Sequence, residues 1–421
     1  MPEGQIMRAG RARRVRYIPE LEGLEQRVAL TVLTPASAAH AHALPPGYLA
    51  AIPAHRPVLS PGIDSSQATF IDPTAAIPGG GRVGVSNQVY IGPFATLVAG
   101  RNMILVGPAS DIQDNVDVDA RGGAVTIGSD VAIAHGATIV GPAQIGSNGG
   151  QPAFIGFNAV VDGATVQAGA MVLGLARVAP GIVIPSGVKV LPGKFVQIQA
   201  EASDPNLGKV DFVTDRDRAF IAGVLSVNKD LARGYSVLAK QSRVFVRGIA
   251  PNPFTPAFNQ APTLPVLAGR PTLDPQFRDR IIGAVQLQDP LSTLGIVLGH
   301  DDSIRADEGF PFILGHLDRV ADRVTLHALV GSGKAIGQND RFGYHSLVHG
   351  GQDVPNPAPG TTVIGDNVTI GAFAVVYASS VGDGAVIGDK SYIEKSTIAP
   401  GQIVPPGTIL INGVRMGTVE W

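Results

Sequence analysis

The sequence has 421 residues, of which 32 are Lys or Arg, 34 are Asp or Glu, and 45% are hydrophobic. This near-neutral charge balance excludes a strongly basic nucleic-acid-binding surface, and the hydrophobic content excludes a disordered chain. No cysteine is present, which excludes disulfides, cysteine-ligated zinc and a thiol nucleophile, and no apolar run is long enough for a transmembrane helix.

The first 45 residues differ in character from the rest of the chain. Five arginines between Arg8 and Arg16 precede a short apolar stretch over residues 28–33 and an Ala-rich run. A basic start, a short apolar centre and small residues are typical of an export signal. We therefore expect residues 1–45 to be a leader, on a bacterial protein exported to the periplasm or cell envelope. The alternative is a disordered tail on a cytoplasmic protein.

Residues 67–200 carry an aliphatic residue at almost every sixth position. These residues are Val85, Ile91, Leu97, Val106, Ile112, Val118, Ile127, Ile133, Ile139, Ile145, Ile155, Val161, Val166, Val172, Val178, Ile184 and Val190. A six-residue period fits neither an α-helix nor an alternating strand. It fits a triangular coil with three six-residue sides, whose rungs stack at the β spacing of roughly 4.8 Å. We therefore predict a left-handed parallel β-helix here; a β-sandwich with accidental spacing is the alternative.

A different pattern follows the first repeat region. Thr214 and the acidic Asp217 three residues later indicate a helix start. Apolar residues then recur at helical spacing, at Ile221, Val224, Leu225, Leu231, Tyr235 and Leu238. The pattern predicts a flanking α-helix over residues 214–241. Seven prolines between Pro251 and Pro275 then predict an extended linker over residues 242–280.

The six-residue period returns over residues 281–421. Its aliphatic and aromatic positions are Ile304, Leu314, Val320, Leu326, Phe342, Val348, Ile364, Ile370, Val376, Val381, Ile387 and Ile393. The whole chain is therefore predicted to be an all-β protein made of two tandem left-handed parallel β-helices, with one flanking α-helix.

Three polar residues of the second repeat region share one spacing. Arg305, His327 and His349 each follow an inward aliphatic residue, and both intervals are 22 residues, one eighteen-residue coil plus a four-residue insertion. They should lie on one outward face in successive rungs, about 5 Å apart at the backbone, where two imidazoles can share a metal. A catalytic zinc site usually has a third protein ligand. The candidates are His135, His300, His316 and His345.

Several segments around these positions resemble the active-site motifs of the gamma-class carbonic anhydrases. They are residues 303–309, 324–328 and 345–350 in the second half, and residues 112–116, 133–138 and 227–235 in the first. The resemblance covers roughly residues 67–240 and 281–421. It implies reversible hydration of carbon dioxide to bicarbonate at a zinc or ferrous ion, and an oligomer formed through the β-helix faces. In that family the metal lies between adjacent modules, two histidines coming from one module and the third from its neighbour.

The resemblance divides the metal ligands between the two halves of this chain. The implied ligands are His135, His327 and His349. In the first half the two paired positions hold Asp119 and Val140, and in the second half the neighbour-type position holds Tyr344. Because each half lacks what the other supplies, the resemblance implies one composite site per chain.

The same resemblance implies roles for five further residues. Gln113 would orient the attacking hydroxide, and Glu308 would help to move the proton. Arg305 and Asp307 would form an ion pair at the interface, and Asn228 matches a family position near the active site. The second half has Ala321 in place of the glutamine, and the first half has Val98 in place of the arginine.

One departure from the family and three alternatives bear on this hypothesis. The position of the family's proton-shuttling glutamate holds Val330. The first alternative is a site that the second half builds alone with His345, although a slip of one residue usually turns a strand side chain to the other face. The second is an inactive structural or assembly protein. The last alternative is a hexapeptide-repeat acyltransferase with a histidine base.

Overall fold

The structure is a computed structural model that describes residues 67–78, 82–146, 150–241, 250–251, 278–283, 285–308, 312–328, 332–351 and 361–421. The predicted leader and most of the predicted linker lie outside these residues. The described residues form two tandem left-handed parallel β-helices with a flanking α-helix, which confirms the predicted fold class.

The first β-helix has three sheets in its described part. Sheet 1A comprises Phe70–Ile71, Tyr90–Ile91, Asp111–Ile112, Val131–Ile133, Ala153–Ile155, Met171–Val172, Val188–Val190 and Val210–Phe212. Sheet 1B comprises Thr96–Val98, Asp117–Asp119, Thr138–Val140, Val160–Asp162, Arg177–Val178 and Phe195–Val196. Sheet 1C comprises Val83–Val85, Ile104–Val106, Val125–Ile127, Ala143–Ile145, Thr165–Val166 and Val183–Ile184. The aliphatic residues of the period stack in register, as Val118, Ile139 and Val161 do, and fill the interior.

The second β-helix is also built from three sheets within the described residues. Sheet 2A comprises Ala250–Pro251, Asp279–Gly283, Asp302–Ala306, Thr325–Ala328, Leu347–Gly350, Val375–Tyr377, Tyr392–Glu394, Thr408–Ile411 and Val414–Thr418. Sheet 2B comprises Val285–Leu287, Phe312–Leu314, Gly333–Ile336, Thr361–Ile364, Ser380–Val381 and Thr397–Ile398. Sheet 2C comprises Leu317–Val320, Asp340–Phe342, Thr369–Ile370, Val386–Ile387 and Ile403–Val404. The period did not predict the strand Ala250–Pro251, which lies within the predicted linker.

The long helix α1, Asp215–Gln241, packs along sheet 1A. It begins at a reciprocal cap, in which the Asp217 amide donates to Thr214 Oγ1 at 3.2 Å and the Thr214 amide donates to Asp217 Oδ2 at 2.7 Å. A short helix, α2, Leu291–Val297, was not predicted, and 3₁₀ turns span Gln199–Ala202 and Pro205–Leu207. No helix in the described ranges is long and apolar enough to cross a membrane.

The corners between sheets 1A and 1B bring the first β-helix against the second. Asn115, Gly136 and Asn158 occupy successive corners with φ of 58°, 72° and 52°, a left-handed backbone that Gly and Asn tolerate best. A Cβ at Gly136 would lie 1.9 Å from Asn158 Oδ1, so this corner requires glycine. Asn115 Nδ2 donates to Thr325 Oγ1 at 3.2 Å, and Asn158 Nδ2 donates to the His345 carbonyl at 3.1 Å.

The far end of the second β-helix also contacts the first. Trp421 Nε1 donates to the Leu175 carbonyl at 2.7 Å, and Glu420 pairs with Lys194 at 3.0 Å. Between these contacts and the corners lies an apolar cluster drawn from both β-helices, which includes Phe154, Phe157, Leu175, Tyr377, Tyr392 and Ile409. The groove between the β-helices is therefore packed.

Candidate metal centre

Three buried histidines converge where the two β-helices meet. His135 Nε2 lies 3.1 Å from His327 Nδ1, which lies 3.2 Å from His349 Nε2. The three ligand atoms fall within 4.8 Å of one another. His135 follows the strand Val131–Ile133 of sheet 1A, whereas the other two lie on sheet 2A. The triad therefore draws one imidazole from the first β-helix and two from the second.

The register of sheet 2A explains how two of these histidines stack. Arg305 pairs with His327 and His327 pairs with His349 on adjacent parallel strands, in the order that the 22-residue spacing predicts. The Nδ1 of His349 bonds to the Gly350 carbonyl. The Nε2 of His327 lies 3.2 Å from Glu308 Oε1 and 3.6 Å from Asp307 Oδ1. The hydrogen bond to Gly350 orients the His349 ring, and two carboxylates lie beside the outer nitrogen of His327.

Burial and neighbouring charges set the protonation of the triad. Burial lowers the pKa of His135 and of His349 well below the ordinary value, and the nearby His327 lowers both further. For His327, burial acts in the same direction, but the carboxylates of Glu308 and Asp307 together outweigh it and the pKa is raised. Two of the three rings are therefore neutral at pH 7, the form that binds a metal.

A buried ion-pair network joins the two β-helices beside the triad. Arg305 Nη1 donates to Asp114 Oδ1 of the first β-helix at 2.6 Å, and Nη2 donates to Asp307 Oδ2 at 2.9 Å. The hydroxyls of Tyr235 and Ser303 donate to Asp307 and Asp114, respectively. Burial would raise the pKa of Asp307, but Arg305, His327 and the Tyr235 hydroxyl together hold it well below its usual range. Arg305 thus bridges the β-helices, in addition to forming the predicted pair with Asp307.

The structure places Gln113 and Asn228 on the wall of a cavity beside the triad. Gln113 Oε1 accepts from the His135 amide at 3.2 Å, and Gln113 Nε2 donates to Asp111 Oδ2 at 2.8 Å. Asn228 Nδ2 donates to the Val224 carbonyl at 3.0 Å. Glu308 lines the same cavity. Both amide side chains are therefore held in fixed orientations.

The other histidines considered as third ligands lie elsewhere. His345 Nδ1 is 3.1 Å from Asn158 Oδ1, at the corner contact between the β-helices. The side chains of His300 and His316 are 55% and 56% exposed and lie next to Asp322 and Asp289. None of these three belongs to the cluster that could hold a metal. Val330 lies outside the described residues.

Sequence reasoning assigned no role to the apolar wall of the cavity, which consists of Ala134, Phe154, Phe157, Phe220, Val224 and Tyr377. The Phe157 ring is nearly parallel to His135 at 6.0 Å between centroids and lies 5.0 Å from His349. Sequence reasoning also assigned no role to Asp114 or Tyr235. The one available signal is that Phe154 and Phe157 are large residues in a repeat of small ones.

The donor set fits a metal ion. Three imidazole nitrogens converge, their rings are held by further contacts, and a cavity adjoins two of them. Three protein ligands with space for one more is the arrangement of a catalytic zinc site. The histidine triad could therefore bind a metal and leave one position open to a small molecule.

Known proteins match parts of this chain. Residues 361–395 match the model of the bacterial transferase hexapeptide family (six repeats). A carbonic anhydrase of Methanosarcina thermophila is 32% identical over 186 residues, which cover 39% of this chain and 67% of that protein. The carboxysome assembly protein CcmM of Nostoc sp. is 31% identical over 119 residues, 28% of this chain and only 21% of that protein. A solved hexapeptide transferase family protein from Anaplasma phagocytophilum has 24% identity and a TM-score of 0.26, covering 39% of this chain and 91% of that one.

Proposed function

This chain belongs to the gamma-class carbonic anhydrase family, and we propose that it catalyses the reversible hydration of carbon dioxide to bicarbonate. The ion would be zinc or ferrous iron, held by His135, His327 and His349. The observation that carries the proposal is the convergence of these three buried histidines from two β-helices, beside a cavity. When bound, such an ion acidifies water and so supplies the hydroxide that adds to carbon dioxide.

The side chains around the cavity have distinct roles in this proposal. Gln113 orients the attacking oxygen, because its amide is fixed between Asp111 and the His135 backbone. Glu308 takes up the proton, since it lines the cavity and lies 3.2 Å from His327 Nε2. Among the described lining residues it is the one acidic side chain. Asn228, held by its own helix, offers a second polar contact for the substrate.

The remaining residues act by positioning. Arg305 holds Asp307 and Asp114 together, so the two β-helices keep the distance that the triad requires. The aromatic rings of Phe154, Phe157 and Tyr377 provide an apolar wall for carbon dioxide, which is uncharged and accepts hydrogen bonds weakly.

An inactive assembly role is the second candidate. The observations that favour it are the similarity to a carboxysome assembly protein and the presence of Val330 where the family has its shuttle glutamate. An inactive protein would have no need of a complete buried triad, and a measurement of turnover separates the two candidates.

The test is to count zinc and iron per chain in anaerobically purified protein and to assay carbon dioxide hydration. The variants are His349→Ala and, as a matched control, His316→Ala, whose side chain is 56% exposed outside the triad. We expect about one metal ion per chain, with metal and activity lost in His349→Ala and kept in His316→Ala. Metal without hydration activity would favour the assembly role. No metal after reconstitution would refute the enzyme proposal.

A further inference from the structure

The cavity beside the triad has a single partly exposed residue in its described lining. The described lining residues are Gln113, Ala134, Phe154, Phe157, Phe220, Val224, Asn228, Glu308, His327, His349 and Tyr377. All of them are buried except Phe220. Phe220 is therefore the described lining residue that is most open to solvent.

Helix α1 carries this ring on the face that lines the cavity. Phe220, Val224 and Asn228 are spaced by four residues and share one face of the helix, directed into the cavity. The Phe220 ring packs edge-on against Phe154 of sheet 1A, with 5.7 Å between centroids and 79° between planes. The helix thus offers an aromatic ring at the solvent end, then an apolar side chain, then an amide.

We propose that Phe220 and Phe154 form an aromatic gate, which sets the size of molecule that reaches the histidines. An edge-on aromatic pair is a favourable contact beyond its buried area, so the arrangement with the two rings in contact is the stable state. Phe220 is then a specificity-determining residue that admits small solutes and slows larger ones. That carbon dioxide is the small solute rests on the proposed function; the gate itself does not.

Access to the histidines can be measured without turnover. Diethyl pyrocarbonate modifies neutral imidazole and is much larger than carbon dioxide. Mass spectrometry of the full-length chain, with and without chelator treatment, gives the modification rate of His349, and the exposed His316 serves as an internal reference. For the metal-loaded chain, the rate of metal loss to dipicolinate is a second readout.

The variants are Phe220→Ala to open the gate and Phe220→Trp to narrow it. The matched control is Phe212→Ala, because Phe212 is 63% exposed and lies outside the cavity lining. We expect Phe220→Ala to speed His349 modification and metal loss by about tenfold, a factor that corresponds to about 1.4 kcal/mol. Phe220→Trp should slow both, and Phe212→Ala should leave both unchanged.

Two results would overturn the gate. One is a His349 modification rate in Phe220→Ala within twofold of the unchanged chain. The other is an equal acceleration in Phe220→Ala and Phe212→Ala, which would show general loosening. Phe220→Leu, which keeps an apolar helix residue, replaces Phe220→Ala if the latter melts at a lower temperature. Failure of the hydration assay alone leaves the gate standing, since His349 modification needs no catalysis.

Discussion

The two β-helices have the same fold, yet they contribute different parts of the candidate site. The first supplies His135 and Gln113 from its corners, whereas the second supplies Arg305, His327 and His349 from the strands of sheet 2A. Neither β-helix holds a triad of its own among the described residues. The difference indicates that the chemistry depends on the contact between the β-helices.

The two β-helices also bury different charged groups. The first buries the carboxyl groups of Asp111 and Asp114, whereas the second buries those of Asp302 and Asp340 together with the amine of Lys334. Lys334 Nζ donates to the Val348 carbonyl and lies 5.0 Å from the Phe312 ring centroid, and burial lowers its pKa well below the usual value. The stability of the second β-helix should therefore depend on pH.

The largest expected effect comes from removing the single ligand of the first β-helix. His135→Ala should abolish metal retention even though both histidines of the second remain, because two ligands do not complete the site. His345→Ala is the matched control, since His345 is equally buried but contacts Asn158. The metal content per chain of both variants, measured after dialysis, tests this prediction. Metal kept in His135→Ala and lost in His345→Ala would show that the second β-helix binds metal alone.

The next effect comes from breaking the bridge between the β-helices. Asp114→Asn removes one of the two buried carboxylates that pair with Arg305 and should destabilise the fold by about 2–3 kcal/mol, because a charge-assisted bond between the β-helices is lost while Asp307 still pairs with the guanidinium. Asp119→Asn removes the exposed pair with Arg121, whose side chain is 68% exposed, and should cost about 1 kcal/mol or less. Urea denaturation of both variants measures the difference; equal losses would contradict a bridge.

A pH-dependent effect comes from a buried carboxyl group of the second β-helix. Burial raises the pKa of Asp340 to about 8, above the value of an unfolded chain, so the folded protein holds a proton that the unfolded chain releases. Its contribution to stability is full below about pH 4 and is lost as the pH rises to about 8, at up to about 1.4 kcal/mol per pH unit.

Asp340→Asn should flatten this pH dependence, because the amide does not titrate and its oxygen can still accept from the Val368 amide. Asp318→Asn, in the same sheet but 41% exposed, should leave the slope unchanged. Denaturant midpoints at about pH 5 and about pH 8, within the window between the unfolded and folded pKa values of Asp340, test this expectation. An unchanged slope in Asp340→Asn would contradict it.

The smallest effect concerns the distal contact between the β-helices. Trp421→Ala removes the hydrogen bond to Leu175 and the stacking of Arg177 and Lys390 on the indole. We expect a loss of about 1–2 kcal/mol in stability and a few-fold weaker metal binding. Met416→Ala, at a side chain 59% exposed on the same terminal hairpin, is the control. Equal metal affinities in Trp421→Ala and Met416→Ala would show that the distal contact does not affect the metal site.

Much of the fold could be predicted from the sequence, because a six-residue period allows few other structures. Each inward aliphatic residue predicts the position of the residue that stacks on it in the next rung, as Leu326 and Val348 show. The short helix Leu291–Val297 and the strand Ala250–Pro251 escaped prediction, since both lie in breaks of the period.

The candidate site was predictable only where one β-helix determines the geometry. Spacing alone stacks His327 on His349, but nothing in the period brings His135 to them; only the family resemblance implied that contact. The pairing of Asp114 with Arg305 and the position of Phe220 depend on how separate elements dock. Such contacts between residues far apart in sequence carry no periodic signal.

The most direct test of the composite site is complementation between two inactive chains. His135→Ala and His327→Ala chains would be coexpressed with different tags, purified together, and assayed for metal and carbon dioxide hydration. A site built within one chain, as the distances of 3.1 Å and 3.2 Å between ring nitrogens indicate, predicts no metal and no activity in the mixture. Recovery of both would contradict it and show that the halves come from different chains.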